Sequence, residues 1–142
     1  MHPTSAAQVL VVDDDLDIRS TLRIALEDEG YEVIEASDGI AALRALRAST
    51  IPMVVLLDLM MPRLDGEGVL EQVVSDRQLT RHIYLLVTAK RSAFPESLRS
   101  VLGRLAVPVL PKPLDLDQLL DVVAAASARL PNSPNGGLAA NP

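Results

Sequence analysis

The chain has 142 residues and a formal net charge of −6 at pH 7, with a sequence pI near 4.8; that length suits one domain with one hydrophobic core. The acidic balance argues against non-specific nucleic-acid binding and against an anionic membrane surface, and favours a cation or a basic partner. The absence of cysteine excludes disulfides and thiolate metal sites, and with neither a signal-peptide pattern at the start nor an apolar run near the ~20 residues that span a bilayer, the expected compartment is the cytoplasm.

Residues 1–7 read as a flexible lead-in, 8–130 as the folded domain, and 131–142 as a disordered tail with little that could be buried. The first strand is expected over 9–12. A helix follows from Leu16 to just before Gly30, with Ile18, Leu22, Ala25 and Leu26 on one face and Gly30 suited to a C-terminal cap. A second strand over 31–36 leads to a helix capped by Ser37 or Asp38 and running through Ala48. The third strand, 53–57, is apolar throughout, as in a strand covered on both faces, and ends against Asp58. Pro62 and the Asp65-Gly66 pair mark a turn and the start of a helix over 66–76. After a strand over 82–87, Leu98, Val101, Leu102 and Leu105 stripe a fourth helix, with Pro95 in its first turn. A last strand over 107–110 precedes a helix over 115–129, with Leu116, Leu119, Leu120 and Val123 facing inward.

Alternation of this kind predicts an α/β fold, a doubly wound parallel sheet with helices on both faces and ligands beyond the carboxyl ends of the strands. Five polar residues gather at that edge: Asp13 and Asp14 after the first strand, Asp58 at the end of the third, Thr88 after the fourth and Lys112 after the fifth. Three carboxylates so close together take up protons or share a hard divalent cation. Mg²⁺, or Mn²⁺ of similar oxygen preference, suits one or two carboxylates, a main-chain carbonyl and an incoming phosphoryl oxygen. Lys112 then offers a point charge and Thr88 a hydroxyl to phosphoryl oxygens, which leaves Asp58 as nucleophile for a mixed anhydride with phosphate.

The set Val11-Val12-Asp13-Asp14-Asp15, Leu57-Asp58-Leu59-Met60-Met61-Pro62-Arg63-Leu64-Asp65-Gly66, Val87-Thr88-Ala89 and Pro111-Lys112-Pro113 resembles the receiver domain of two-component response regulators, over roughly residues 8–130. The resemblance implies a flavodoxin-like strand order 2-1-3-4-5, Asp58 as phosphoacceptor, Asp14 as direct Mg²⁺ ligand, Asp13 as a ligand through water and the Met60 carbonyl as a main-chain ligand. Thr88 and Lys112 are implied as the phosphoryl-sensing pair, a sensor histidine kinase as donor, and a cis peptide between Lys112 and Pro113. The expected output is a stand-alone receiver that signals by contact with a downstream protein, with no direct DNA or membrane binding and with a weak homodimer through the fourth helix, fifth strand and fifth helix.

Other uses of the same residues compete with this reading. Asp15 and Asp17 are expected to cap the first helix and favour its dipole. A calcium loop starting at Asp13 fails because Ile18 stands where Gly is needed and Ile24 where a bidentate Glu is needed. A haloacid-dehalogenase-like phosphatase using Asp13 as nucleophile would leave Asp58 and its turn unexplained. A scaffold or dimerisation module independent of phosphate stays open because Val109 replaces the Tyr or Phe that response regulators usually carry three residues before the Lys. Phe94 is read either as a partner anchor or as a local staple onto the fourth helix. His2 and His82 are given no role.

Overall fold

The computed structural model describes residues 7–90 and 92–131, and in them five strands alternate with five helices: β1 Gln8–Val12, α1 Leu16–Asp28, β2 Glu32–Ala36, α2 Gly39–Ala48, β3 Val54–Asp58, α3 Gly66–Val74, β4 Ile83–Thr88, α4 Glu96–Leu105, β5 Val109–Pro111 and α5 Leu116–Ala128. The sheet runs β2-β1-β3-β4-β5, and every pairing in it is parallel. This is the expected doubly wound order, and its reversal lies between β1 and β3. No helix among the described residues is long and apolar enough to cross a membrane.

The central strands are apolar throughout because each alternate residue enters a different core. On one face, Leu10, Val12, Val55, Leu57 and Leu86 pack with residues of α2, α3 and α4. On the other, Val9, Val11, Val54, Leu56 and Leu85 pack with residues of α1 and α5. A strand covered twice has no position for an unpaired polar side chain, so polarity starts where the strands end.

Helix ends follow their capping chemistry. Asp15, Asp38, Asp65 and Asp115 each accept main-chain N–H bonds at the start of a helix, so Asp38 rather than Ser37 is the cap of α2. Gly30, at φ 93°, closes α1, with the Tyr31 N–H bonded to the Leu26 carbonyl at 3.1 Å.

Several boundaries differ from the sequence expectation. Ala7, placed in the lead-in, is buried, and its carbonyl accepts the Glu32 N–H at 3.3 Å. The rest of the lead-in, and the tail beyond Pro131, lie outside the described residues. The fifth strand starts at Val109 rather than Val107, because Ala106 takes a left-handed conformation and the Val107 N–H closes α4 on the Leu102 carbonyl at 2.9 Å. Pro95 sits just before α4 with extended ψ and provides no side-chain cap. Leu116, expected inward, is 38% exposed because it opens α5 at the sheet's edge.

Candidate functional site

Asp58 and Thr88 are the last residues of β3 and β4 and still lie in register, Asp58 opposite Val87 and Thr88 opposite Pro111. Both are buried, as is Asp13, which follows β1 directly. Asp14, one residue further along, is exposed. Carboxylate oxygens of Asp13, Asp14 and Asp58 all lie within 4.8 Å of one another, and Lys112, which follows β5, reaches in with Nζ 3.0 Å from Asp13 Oδ2 and 3.4 Å from Asp58 Oδ1. The Lys112-Pro113 peptide is cis.

The loop after Asp58 is held by close backbone packing. Gly66 donates its N–H to the Leu59 carbonyl at 2.8 Å, and a Cβ on Gly66 would fall 2.7 Å from the Asp58 carbonyl oxygen. Only glycine admits that approach. Arg63, at φ 68°, ties the same loop to α2 through a 2.6 Å ion pair with Asp38. The Met60 side chain is exposed on this loop.

Burial, and next the neighbouring Asp13 charge, push the Asp58 carboxyl up to about 6, against the opposing pull of Lys112 and of the Met60 amide. Lys112 is raised overall: burial, its largest single influence, acts downward and is outweighed by Asp13 and Asp58 together. Two carboxylates share one ammonium, so the pocket is short of positive charge. A hard divalent cation with oxygen ligands suits that donor set, and the residues fit Mg²⁺.

Thr88 Oγ1 accepts the Lys90 N–H at 2.9 Å, which leaves the hydroxyl proton free to be donated. Asp15 accepts from the Asp17 and Ile18 N–H groups, in line with the capping expectation, and donates its own N–H to Asp13 Oδ1 at 2.9 Å. Asp13 thus has both carboxylate oxygens engaged. Phe94 is half-buried against the core cluster that includes Leu98 and Val101 of α4, with the Lys90 ammonium 5.9 Å from its ring centre. Val109 is exposed.

The sequence profile of the response regulator receiver domain matches residues 9–124. The chain belongs to this family. A receiver of two-component signalling is similar to response regulator MprA of Mycobacterium sp. strain KMS, with 39% identity over 130 residues that make up 92% of this chain and 54% of that protein. Its likeness to MprA of Mycobacterium avium strain 104 is 41% over 113 residues, 80% of this chain and 47% of that protein. The receiver thus spans about half the length of the curated relatives it matches. Among solved structures, the chemotaxis response regulator CheY4 of Vibrio cholerae superposes with a TM-score of 0.72 at 30% identity, covering 85% of this receiver and 98% of that chain. The Francisella response regulator 1452 receiver domain gives 0.75 at 28%, covering 87% and 98%.

Sequence reasoning missed a polar cluster beside the acidic pocket. Arg19 of α1 donates from Nη1 to the Asp13 carbonyl at 2.7 Å and from Nε to Glu35 Oε1 of β2 at 2.9 Å. Arg23, one turn later, holds Glu35 Oε2 at 2.6 Å and Glu27 at 2.7 Å. The four-residue spacing of Arg19, Arg23 and Glu27 is visible in the sequence; their meeting with Glu35 is not.

Proposed function

We propose that the chain accepts a phosphoryl group on Asp58 from the phosphohistidine of a sensor histidine kinase, in a Mg²⁺-dependent reaction, and passes the signal on by protein contact. The observation that carries this reading is the approach of the Asp13, Asp14 and Asp58 oxygens to within 4.8 Å of one another, with Lys112 between Asp13 and Asp58. Asp13, Asp14, Asp58 and the Met60 carbonyl are the residues that would hold Mg²⁺. When bound, the ion neutralises carboxylate and phosphoryl charge as the transfer proceeds.

The protein's own groups divide the remaining work. The bond between an Asp58 carboxylate oxygen and phosphorus forms as the phosphorus–nitrogen bond to the donor imidazole breaks, and the electron pair stays on that nitrogen. Lys112 and the free hydroxyl proton of Thr88 meet the phosphoryl oxygens, where charge is greatest. Asp58 is better placed as nucleophile than Asp13 because Lys112 stands farther from it, at 3.4 Å against 3.0 Å, and both Asp13 oxygens already accept hydrogen bonds of 3.0 Å or less. A groove of about 600 Å³ next to Lys112, lined mainly by Ile18, Leu22, Pro113, Leu114 and Leu116, gives a protein donor an apolar footing. The output face is assigned to α4, β5 and α5, where a second copy or a downstream protein would bind.

A small-molecule phosphodonor with Mg²⁺ should add one phosphoryl group, read by intact-protein mass, and Asp58→Asn should abolish it. If Asp58→Asn were still labelled while Asp13→Asn was not, the phosphatase reading would replace this one. Val109 favours one second reading, a scaffold of the same fold that does not respond to phosphate. Beryllofluoride shifts of amide signals confined to the acidic pocket, with none along β5, would support that scaffold.

A further inference from the structure

Asp13 is gripped more completely than a residue following a strand needs to be. Its N–H bonds to the Ala36 carbonyl at 3.1 Å, and its own carbonyl accepts Arg19 Nη1 at 2.7 Å. The peptide groups on both sides of its Cα are therefore fixed, and with them the direction in which the carboxylate leaves the chain. Arg19 can do this because helical side chains lean toward the helix N-terminus, which for α1 is the carboxyl edge of the sheet. Its Nε is held by Glu35, and Glu35 is held in turn by Arg23. The Glu35 carboxyl is kept below its usual range, by Arg23 first and Arg19 second. The Arg19 side chain is only 14% exposed, so this is a well-ordered contact rather than a loose surface pair.

We infer that Arg19, anchored by Glu35, is a positioning residue that orients Asp13 for cation binding in the acidic pocket. The inference rests on the reading of that pocket as a Mg²⁺ site. Outer partners of metal ligands set the ligands' orientation, and losing one weakens binding about 10–100-fold. Charge alone predicts the opposite outcome: removing a cation beside three carboxylates makes the pocket more negative and tightens Mg²⁺ binding.

Mg²⁺ titration of the full chain by calorimetry separates these. Arg19→Ala should weaken Mg²⁺ binding by about tenfold or more. Arg19→Lys keeps the charge but has one ammonium for two acceptors, so it should recover only part of the affinity. Arg23→Ala, which removes an ion pair to Glu35 without touching Asp13, should stay within about threefold of wild type. Equal or tighter binding by Arg19→Ala would overturn the inference, and so would an equal loss in Arg23→Ala, which would mean that only the docking of α1 matters. Should Arg19→Ala fail to fold, Arg19→Lys keeps the test alive, because charge alone predicts no change for it, and wild-type affinity in that variant would overturn the idea. If wild type itself binds no Mg²⁺, the reading of the pocket fails and the inference falls with it; if wild type binds and the Arg19 variants match it, the inference alone fails.

Discussion

The two edges of the sheet each bury a titratable side chain, and they treat it in opposite ways. At the amino edge, His82 takes the Met53 N–H on Nδ1 at 2.9 Å and packs edge-on to Tyr84, whose hydroxyl donates to the Leu79 carbonyl at 2.8 Å. Burial, with Arg81 adding to it, lowers His82 to about 4, so the ring is neutral and its Nε2 has no partner among the described residues. At the carboxyl edge, burial raises Asp58 to about 6, yet two further carboxylates are brought beside it. One edge removes charge for stability, and the other concentrates it where a ligand can respond.

The largest expected effect lies at the carboxyl edge. Lys112→Ala removes the cation shared by Asp13 and Asp58, and single-turnover labelling should fall by about a hundredfold or more, the usual scale for losing one transition-state charge partner. Tyr84→Phe, at the other edge, should cost about 1–1.5 kcal/mol of stability in denaturant titration and leave labelling unchanged. Loss of labelling there would break the division between the edges.

Smaller effects appear in the pH dependence of melting without Mg²⁺. His82 has a folded value of about 4 against an ordinary value of 6.5, so its contribution is complete above the unfolded value and is lost as pH falls toward 4. His82→Asn should therefore lose less stability than wild type between pH 7 and pH 5. Asp58, at about 6 against 3.8, is the reverse: its destabilising charge is fully present above 6 and is relieved as pH falls, so Asp58→Asn should lose more stability than wild type over the same interval. Equal slopes in the two variants would remove the contrast. The smallest signal is proton release: Mg²⁺ binding at pH 6 should expel about half a proton from Asp58, measured by calorimetry in buffers of different ionisation enthalpy.

Much of this was readable from residues alone. The apolar run before Asp58 reports a doubly covered strand, and Asp13, Asp14, Asp58, Thr88 and Lys112 all fall at strand ends, where a parallel sheet collects them. His82 was not readable: a histidine opening a strand looks the same whether it faces solvent or accepts a buried N–H. The start of β5 was misplaced because a cap on the preceding helix claimed Val107. Leu116 looked inward because periodicity does not reveal where the neighbouring sheet stops.

Local chemistry in the sequence thus determined the alternating elements, their caps and the acidic residues at the strand ends, because periodicity, turn residues and charge act over a few neighbours. Tertiary structure alone decided the distances: the 3.0 Å from Lys112 to Asp13 spans 99 positions, and Arg19 meets Glu35 across 16. Such contacts depend on how strands order and how helices lean onto them. That is a property of the packed whole, and it turns separate carboxylates into one pocket.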